Sequence, residues 1–198
     1  MGQAQIAERK YTVSEFLEME EKSEIRHEFY DGEIFAMAGT TMNHNRIVGK
    51  IRGFLGAIFF PKGCDVFAEN IKVEAIENFY YPYPDVIVTC APEDVNGTYI
   101  VRNPSILVEV LSKSSANYDR GFKLRSYQEI ASLQYYMLVA QYECYIELYS
   151  RTDQEGIWTY QSFDKPETVI SFDKLDFTMP VSAVYEGIVF LEEEKPEF

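Results

Sequence analysis

The chain has 198 residues, 46% of them hydrophobic and 15% aromatic, with a formal net charge of −14. That length builds one domain with an ample apolar core, and acidity of this size works against non-specific nucleic-acid binding, which depends on Lys and Arg neutralising phosphates. The start MGQAQIAERK has no apolar signal segment, Ile6 stands where a myristoylation motif needs Ser or Thr, and no apolar run approaches the roughly 18 residues of a spanning helix. The expectation is a soluble, unprocessed protein with no membrane partner.

Residues 1–11 read as a tail. The first element begins at Thr12, which forms a capping-box pair with Glu15, while Tyr11 and Phe16 have the spacing of a hydrophobic staple. Val13, Phe16 and Leu17 then define a short amphipathic helix. Arg26–Tyr30 and Glu33–Ala38 flank Asp31-Gly32, a dipeptide that tolerates the positive φ angles of a tight hairpin, so two antiparallel strands are expected there. From Asn43 the apolar residues Ile47, Val48, Ile51, Leu55 and Phe59 recur at helical spacing up to the breaker Pro61-Lys62-Gly63.

Cys64–Ala75, Pro84–Thr89 and Ile106–Leu111 read as strands, the last two almost continuously apolar as in a buried sheet. A helix from Asp119 to about Ala131 follows, then β-rich runs at Gln134–Ala140, Tyr142–Tyr149 and Gly156–Phe163. The domain spans residues 12–190, and residues 191–198 form an acidic tail. Cys64, Cys90 and Cys144 lie far apart, with no CxxC pair and no adjacent histidines. They support neither a zinc site nor a disulfide framework and suit a reducing cytoplasm.

Two acids stand out because they lie in apolar strands. Strand alternation puts Glu109 on the face shared by Leu107 and Leu111, with Val108 and Val110 on the other. An unpaired buried carboxylate costs several kcal/mol, so it must be protonated, paired or metal-bound. Asp85 opens the strand Val86-Ile87-Val88 just after Pro84. If the two strands are neighbours, both carboxylates can converge on one hard divalent cation such as Mg²⁺, which takes one or two carboxylates plus waters and phosphate oxygens. On the following helix, Asp119, Lys123 and Tyr127 are spaced i, i+4, i+8 and share one stripe. Lys123 could then reach back to the sheet and orient an attacking water or neutralise charge on a phosphate.

These residues carry a resemblance. The segments Tyr83-Pro84-Asp85-Val86-Ile87-Val88, Pro104 to Ser112 and Asp119-x-x-x-Lys123-x-x-x-Tyr127 are similar to the Uma2 family, formerly a domain of unknown function, within the PD-(D/E)XK nuclease superfamily. The likeness runs from about Thr12 to Phe190. It implies an α/β (α+β) restriction-endonuclease-like fold, a mixed β-sheet flanked by helices with additional hairpins. It also implies Mg²⁺ or Mn²⁺ on Asp85 and Glu109, cleavage of DNA, and a homodimer that cuts both strands. The superfamily's usual lysine position, two residues after Glu109, holds Leu111, so the resemblance assigns that role to Lys123.

Each residue has a competing structural reading. Asp85 can cap local backbone N–H groups at the strand start. Glu109 can pair with Arg102 or Arg125, and Lys123 can form an exposed pair with Asp119. Glu28 can complete the acidic cluster or be a solvated edge glutamate, and His44 can face the metal or serve the helix start. Glu69 is a further possible ligand, and Tyr127 reads as packing that fixes the lysine. A non-catalytic interaction module on the same fold is the rival function. Clustering of Arg46, Lys50, Arg52, Lys113, Arg120, Lys123 and Arg125 into a basic rim would favour the nuclease.

Overall fold

The computed structural model describes residues 9–37 and 39–190. Most of the N-terminal tail, Ala38 at the end of the second expected strand, and the acidic tail lie outside them.

Helix α1 (Val13–Lys22) begins as its capping box dictates: Thr12 Oγ1 accepts from the Glu15 N–H at 3.2 Å, and the Thr12 N–H donates to Glu15 at 2.8 Å. Phe16 is fully buried against Phe29 and Tyr81, with Tyr11 packed on the same cluster. Strands β1 (His27–Tyr30) and β2 (Glu33–Ala36) pair through a turn in which Asp31 and Gly32 both have positive φ, 45° and 81°. A Cβ on Gly32 would come within 2.9 Å of Lys10, so glycine serves both the turn and the close approach.

Helix α2 (Met42–Phe59) starts one residue earlier than its periodicity implies, because Thr41 caps it by accepting from the His44 N–H at 3.1 Å. A 3₁₀ turn, Phe60–Lys62, and the left-handed Gly63 (φ 76°) end it.

The expected strand Cys64–Ala75 is broken. Strand β3 (Asp65–Ala68) stops where Glu69 and Asn70 take positive φ of 52° and 57°, and β4 (Lys72–Val73) leaves to pair elsewhere. Then come β5 (Tyr80–Tyr81), β6 (Val86–Thr89), the short α3 (Pro92–Val95), β7 (Ile100–Val101), which pairs in parallel with β4, and β8 (Pro104–Leu111).

The helix expected at Asp119–Ala131 is earlier and irregular: α4 (Ala116–Tyr118), a π-helical turn (Asp119–Lys123) and α5 (Leu124–Gln128). Strands β9 (Tyr135–Ala140), β10 (Ile146–Arg151) and β11 (Trp158–Phe163) follow, with 141–145 a connection and not the start of a strand. The unassigned stretch after Phe163 forms a hairpin, β12 (Val169–Phe172) and β13 (Phe177–Pro180), and α6 (Ser182–Tyr185).

The central sheet runs β11-β10-β9-β8-β6-β3, antiparallel throughout except for the parallel pair β8–β9. It is a mixed sheet with helices on both faces. Val86, Val88, Ile106, Val108 and Val110 pack beneath α2 and the C-terminal hairpin, while Ile87, Leu107 and Leu111 meet Tyr127, Ile130 and Leu133 on the other side. A second sheet, β2-β1-β5, carries the acidic strand β1.

The reading of the cysteines needs correction. Cys64 and Cys90 form a disulfide, with Cα atoms 4.2 Å apart. Antiparallel pairing of Asp65 with Thr89 sets their neighbours Cys64 and Cys90 opposite one another, a proximity that a separation of 26 residues hides. Cys144 remains free. The disulfide removes the cysteine argument for a reducing cytoplasm. Among the described residues, no helix is long and apolar enough to cross a membrane.

Candidate active site

Asp85 and Glu109 lie on neighbouring antiparallel strands, with Val86 paired to Val108. Asp85 precedes β6, and its side chain turns across to β8, where Oδ2 accepts from the Val110 N–H at 2.6 Å. Asp85 therefore does bind a backbone N–H, but across the sheet and not at its own strand start. Its other oxygen lies 3.1 Å from His44 Nε2. Helix α2 begins where it can deliver this imidazole because Thr41 caps it and also donates to Gln141, whose amide in turn donates to the Leu111 carbonyl. Burial opposes a charge on His44, but Asp85, then Glu69 and a backbone hydrogen bond with Val110, raise its pKa overall.

Glu109 is 4% exposed and faces α5 with Leu107 and Leu111, as strand alternation requires. Its Oε1 accepts from Lys123 Nζ at 3.0 Å and from the Tyr127 hydroxyl at 2.8 Å. The partner is thus neither Arg102, which binds Glu74, nor Arg125. Lys123 is buried, correcting the exposed-pair reading: Nζ also lies 3.2 Å from Glu28 and 3.6 Å from Asp119. The π turn brings Asp119 and Lys123 inward together, and among the described residues buried Asp119 Oδ1 has no hydrogen-bond partner.

Burial raises the Glu109 pKa well above the ordinary carboxylate range; Lys123 opposes this, and Asp119 and Asp85 reinforce it. Burial likewise raises Asp119. For Lys123, burial works against the charge, yet Glu109, Glu28 and Asp119 outweigh it and hold the pKa well above that of a free lysine.

The site therefore gathers four carboxylates, Glu28, Asp85, Glu109 and Asp119, around one ammonium and one imidazole. Burial favours the neutral acids at Glu109 and Asp119, and like carboxylates remain ionised together only beside a cation. The donor set suits a hard divalent ion. Asp85 Oδ2 and Oδ1 are engaged by the Val110 N–H and His44, and Glu109 Oε1 by Lys123 and Tyr127, so these two are the carboxylates that would hold such an ion. Among the described residues, no group of three or more His, Cys, Asp or Glu side chains is placed to hold a metal ion. Two carboxylates supplemented by water and substrate oxygens are the usual Mg²⁺ pattern.

A family model described as "Putative restriction endonuclease" matches residues 13–182 of this sequence. The chain belongs to the Uma2 family. Two proteins of Synechocystis sp., both described as uncharacterized, are each 33% identical to it. One aligns over 184 residues, 91% of this chain and 94% of its own, and the other over 168 residues, 83% and 94%. A solved structure described as a putative nuclease belonging to DUF820, from Anabaena variabilis, superposes with a TM-score of 0.72 over 90% of this chain and 99% of its own. At 16% identity that likeness establishes the fold alone, and the family model supports a nuclease-like function.

Within this Uma2 chain, all five residues singled out from sequence, Asp85, Glu109, Lys123, Glu28 and His44, fall in one site. Glu69 stands beside the site: its backbone N–H donates to the Asp85 carbonyl, and its carboxylate acts on His44 through charge. Tyr127 does more than pack, because its hydroxyl holds Glu109. Sequence reasoning also undervalued Asp119, although the shared stripe with Lys123 and Tyr127 was the available signal. Of the basic residues, Arg46, Lys50 and Arg52 lie on α2, Arg120 is tied to Glu147, and Lys123 is internal.

Proposed function

We propose that this Uma2 chain is a divalent-metal-dependent endonuclease that hydrolyses phosphodiester bonds in DNA, with Asp85 and Glu109 as the metal ligands. The observation that carries the proposal is the surplus of buried carboxylates around Lys123. When bound, Mg²⁺ or Mn²⁺ would supply a hydroxide at neutral pH and stabilise the charge that grows on the phosphate.

The residues have separable tasks. The Val110 N–H and His44 fix the two oxygens of Asp85, and Lys123 and Tyr127 fix Glu109, so that both carboxylates are oriented before substrate arrives. Lys123 holds its proton across the working pH range, its charge balancing Glu109 and Glu28. As a permanently charged donor it suits the stabilisation of a phosphate and not the abstraction of a proton from water. Glu28 shares the ammonium, and its place on β1 ties the second sheet to the site.

The test is cleavage of plasmid DNA with Mg²⁺, with Mn²⁺ and with EDTA. Asp85→Ala and Glu109→Ala should abolish cleavage with far-UV spectra unchanged, and Lys123→Ala should lose activity while metal affinity is largely kept. Full activity in either carboxylate variant overturns the site. The rival, a non-catalytic interaction module, draws support from the formal net charge of −14. It predicts no metal-dependent cleavage at any protein concentration. Sedimentation at several concentrations tests the homodimer that double-strand cutting would use.

A further inference from the structure

Net acidity works against phosphate contacts here. The chain carries a formal net charge of −14, Arg120 is tied to Glu147, Arg102 to Glu74, and the lysine of the site lies among carboxylates. Each neutralised phosphate releases counterions and so adds affinity, and the surplus of negative charge works against that gain. A strand held at this site needs a contact that does not depend on charge.

One adjoins Lys123. Tyr118, at the end of α4, stacks on Phe122 with ring centroids 5.2 Å apart and planes 18° from parallel. Phe122 is braced edge-on by Tyr30 at 4.9 Å and Tyr80 at 5.1 Å. The Tyr118 hydroxyl lies 3.2 Å from that of Tyr80, which is fully buried. Tyr118 is thus fixed at its edge and along one face, yet the residue is 40% exposed. Lys123 Nζ lies over its ring at 5.9 Å from the centroid, at the border of the carboxylate cluster. A rigid, exposed tyrosine offers a large contact area at little cost in side-chain entropy.

We propose that Tyr118 is a stacking platform for an unpaired nucleobase, and that the substrate is single-stranded or frayed DNA in preference to intact duplex. In a duplex the bases are stacked on each other and only their edges reach the grooves, so extruding one costs a few kcal/mol. An unpaired strand presents its base faces without that cost, and aromatic stacking supplies affinity that owes nothing to phosphate neutralisation. The inference rests on the nuclease reading for the identity of the ligand as nucleic acid.

The experiment is fluorescence anisotropy of a labelled single-stranded DNA oligonucleotide and of the blunt duplex of the same sequence. Ca²⁺ replaces Mg²⁺ as an oxygen-seeking ion. Wild type should bind the single strand about tenfold or more tighter than the duplex, since base extrusion costs the latter a few kcal/mol. Tyr118→Ala should weaken single-strand binding roughly 10- to 100-fold, the range of one base–aromatic stack, and leave the salt dependence unchanged because no phosphate contact is lost. Tyr118→Phe and Tyr118→Trp, which keep a ring, should retain most of the affinity and guard against a folding artefact.

Equal or tighter duplex binding, no binding by wild type, or a Phe variant as weak as the Ala variant overturns the proposal. Failure of the two readings is distinguishable. Duplex cleavage indifferent to Tyr118→Ala upholds the nuclease and removes the platform, whereas Tyr118-dependent single-strand binding without any cleavage does the reverse.

Discussion

Lys123→Met keeps the aliphatic stem and removes only the ammonium, so it isolates the charge at the centre of the site. In the native protein that ammonium lies 3.0 Å from Glu109, 3.2 Å from Glu28 and 3.6 Å from Asp119, with 8% of the lysine side chain exposed. Removing one partner from a buried ion pair costs about 3–5 kcal/mol, because the remaining charge is stranded. In a chain of this size each kcal/mol moves Tm by about 2–4 °C, so the melting temperature should fall by about 6–20 °C. A cation at Asp85 and Glu109 would take over part of the lost neutralisation. Mn²⁺ or Mg²⁺ should therefore restore part of the stability of Lys123→Met, by about 2.7 kcal/mol when the ion is present at 100 times its Kd. The assay is thermal and urea unfolding followed by circular dichroism, in EDTA and across a metal titration. A Tm change below about 2 °C would show the lysine to be solvated and energetically idle. Equal stabilisation by metal of an Asp85→Ala, Glu109→Ala double variant would show that the ion binds elsewhere.

Three further outcomes are expected. Tyr127→Phe removes a 2.8 Å hydrogen bond to buried Glu109 and should cost about 1.5–3 kcal/mol in urea unfolding; a neutral effect would return Tyr127 to a packing role. Glu20, nearly inaccessible, binds Tyr83 at 2.7 Å and His27 at 3.0 Å; burial alone would raise its pKa, but these bonds lower it overall. A depressed folded pKa contributes stability that is present above the unfolded value of about 4.3 and lost as pH falls through the folded value. Glu20→Gln should therefore cost about 1.5–3 kcal/mol near neutrality and progressively less in acid, and a penalty that is flat with pH would contradict the assignment. Cys90→Ser opens a loop closed across 26 residues and should cost about 3–4 kcal/mol by the chain-entropy argument. Reductant should bring wild type down to the variant and leave the variant unmoved, whereas a wild type indifferent to reductant would mean that the cysteines are free.

The elements legible in the sequence are those whose signals are local. Thr12 with Glu15 set the start of α1, Asp31-Gly32 set the first hairpin, and the apolar stripe from Ile47 to Phe59 set α2, because caps, positive-φ turns and helical periodicity act over a few residues. The chain was least legible where long-range pairing overrode local propensity. Positive φ at Glu69 and Asn70 divided one apolar run into β3 and β4, and the β12–β13 hairpin exists because its buried residues cover α2.

The candidate site divides in the same way. By itself the sequence determined that Glu109 would be a carboxylate in a buried strand, since strand alternation and its apolar neighbours leave no other face, and that Asp119, Lys123 and Tyr127 would share a stripe. Only the tertiary structure decided which charges meet. Pairing of β6 with β8 set Asp85 against the Val110 N–H, the capped start of α2 delivered His44, and the π turn buried Asp119 and Lys123 together. It also joined Cys64 to Cys90. Electrostatic and covalent partners are chosen by distance in space, and contacts between residues 14 to 41 positions apart leave no period in the chain for a reader of sequence to find.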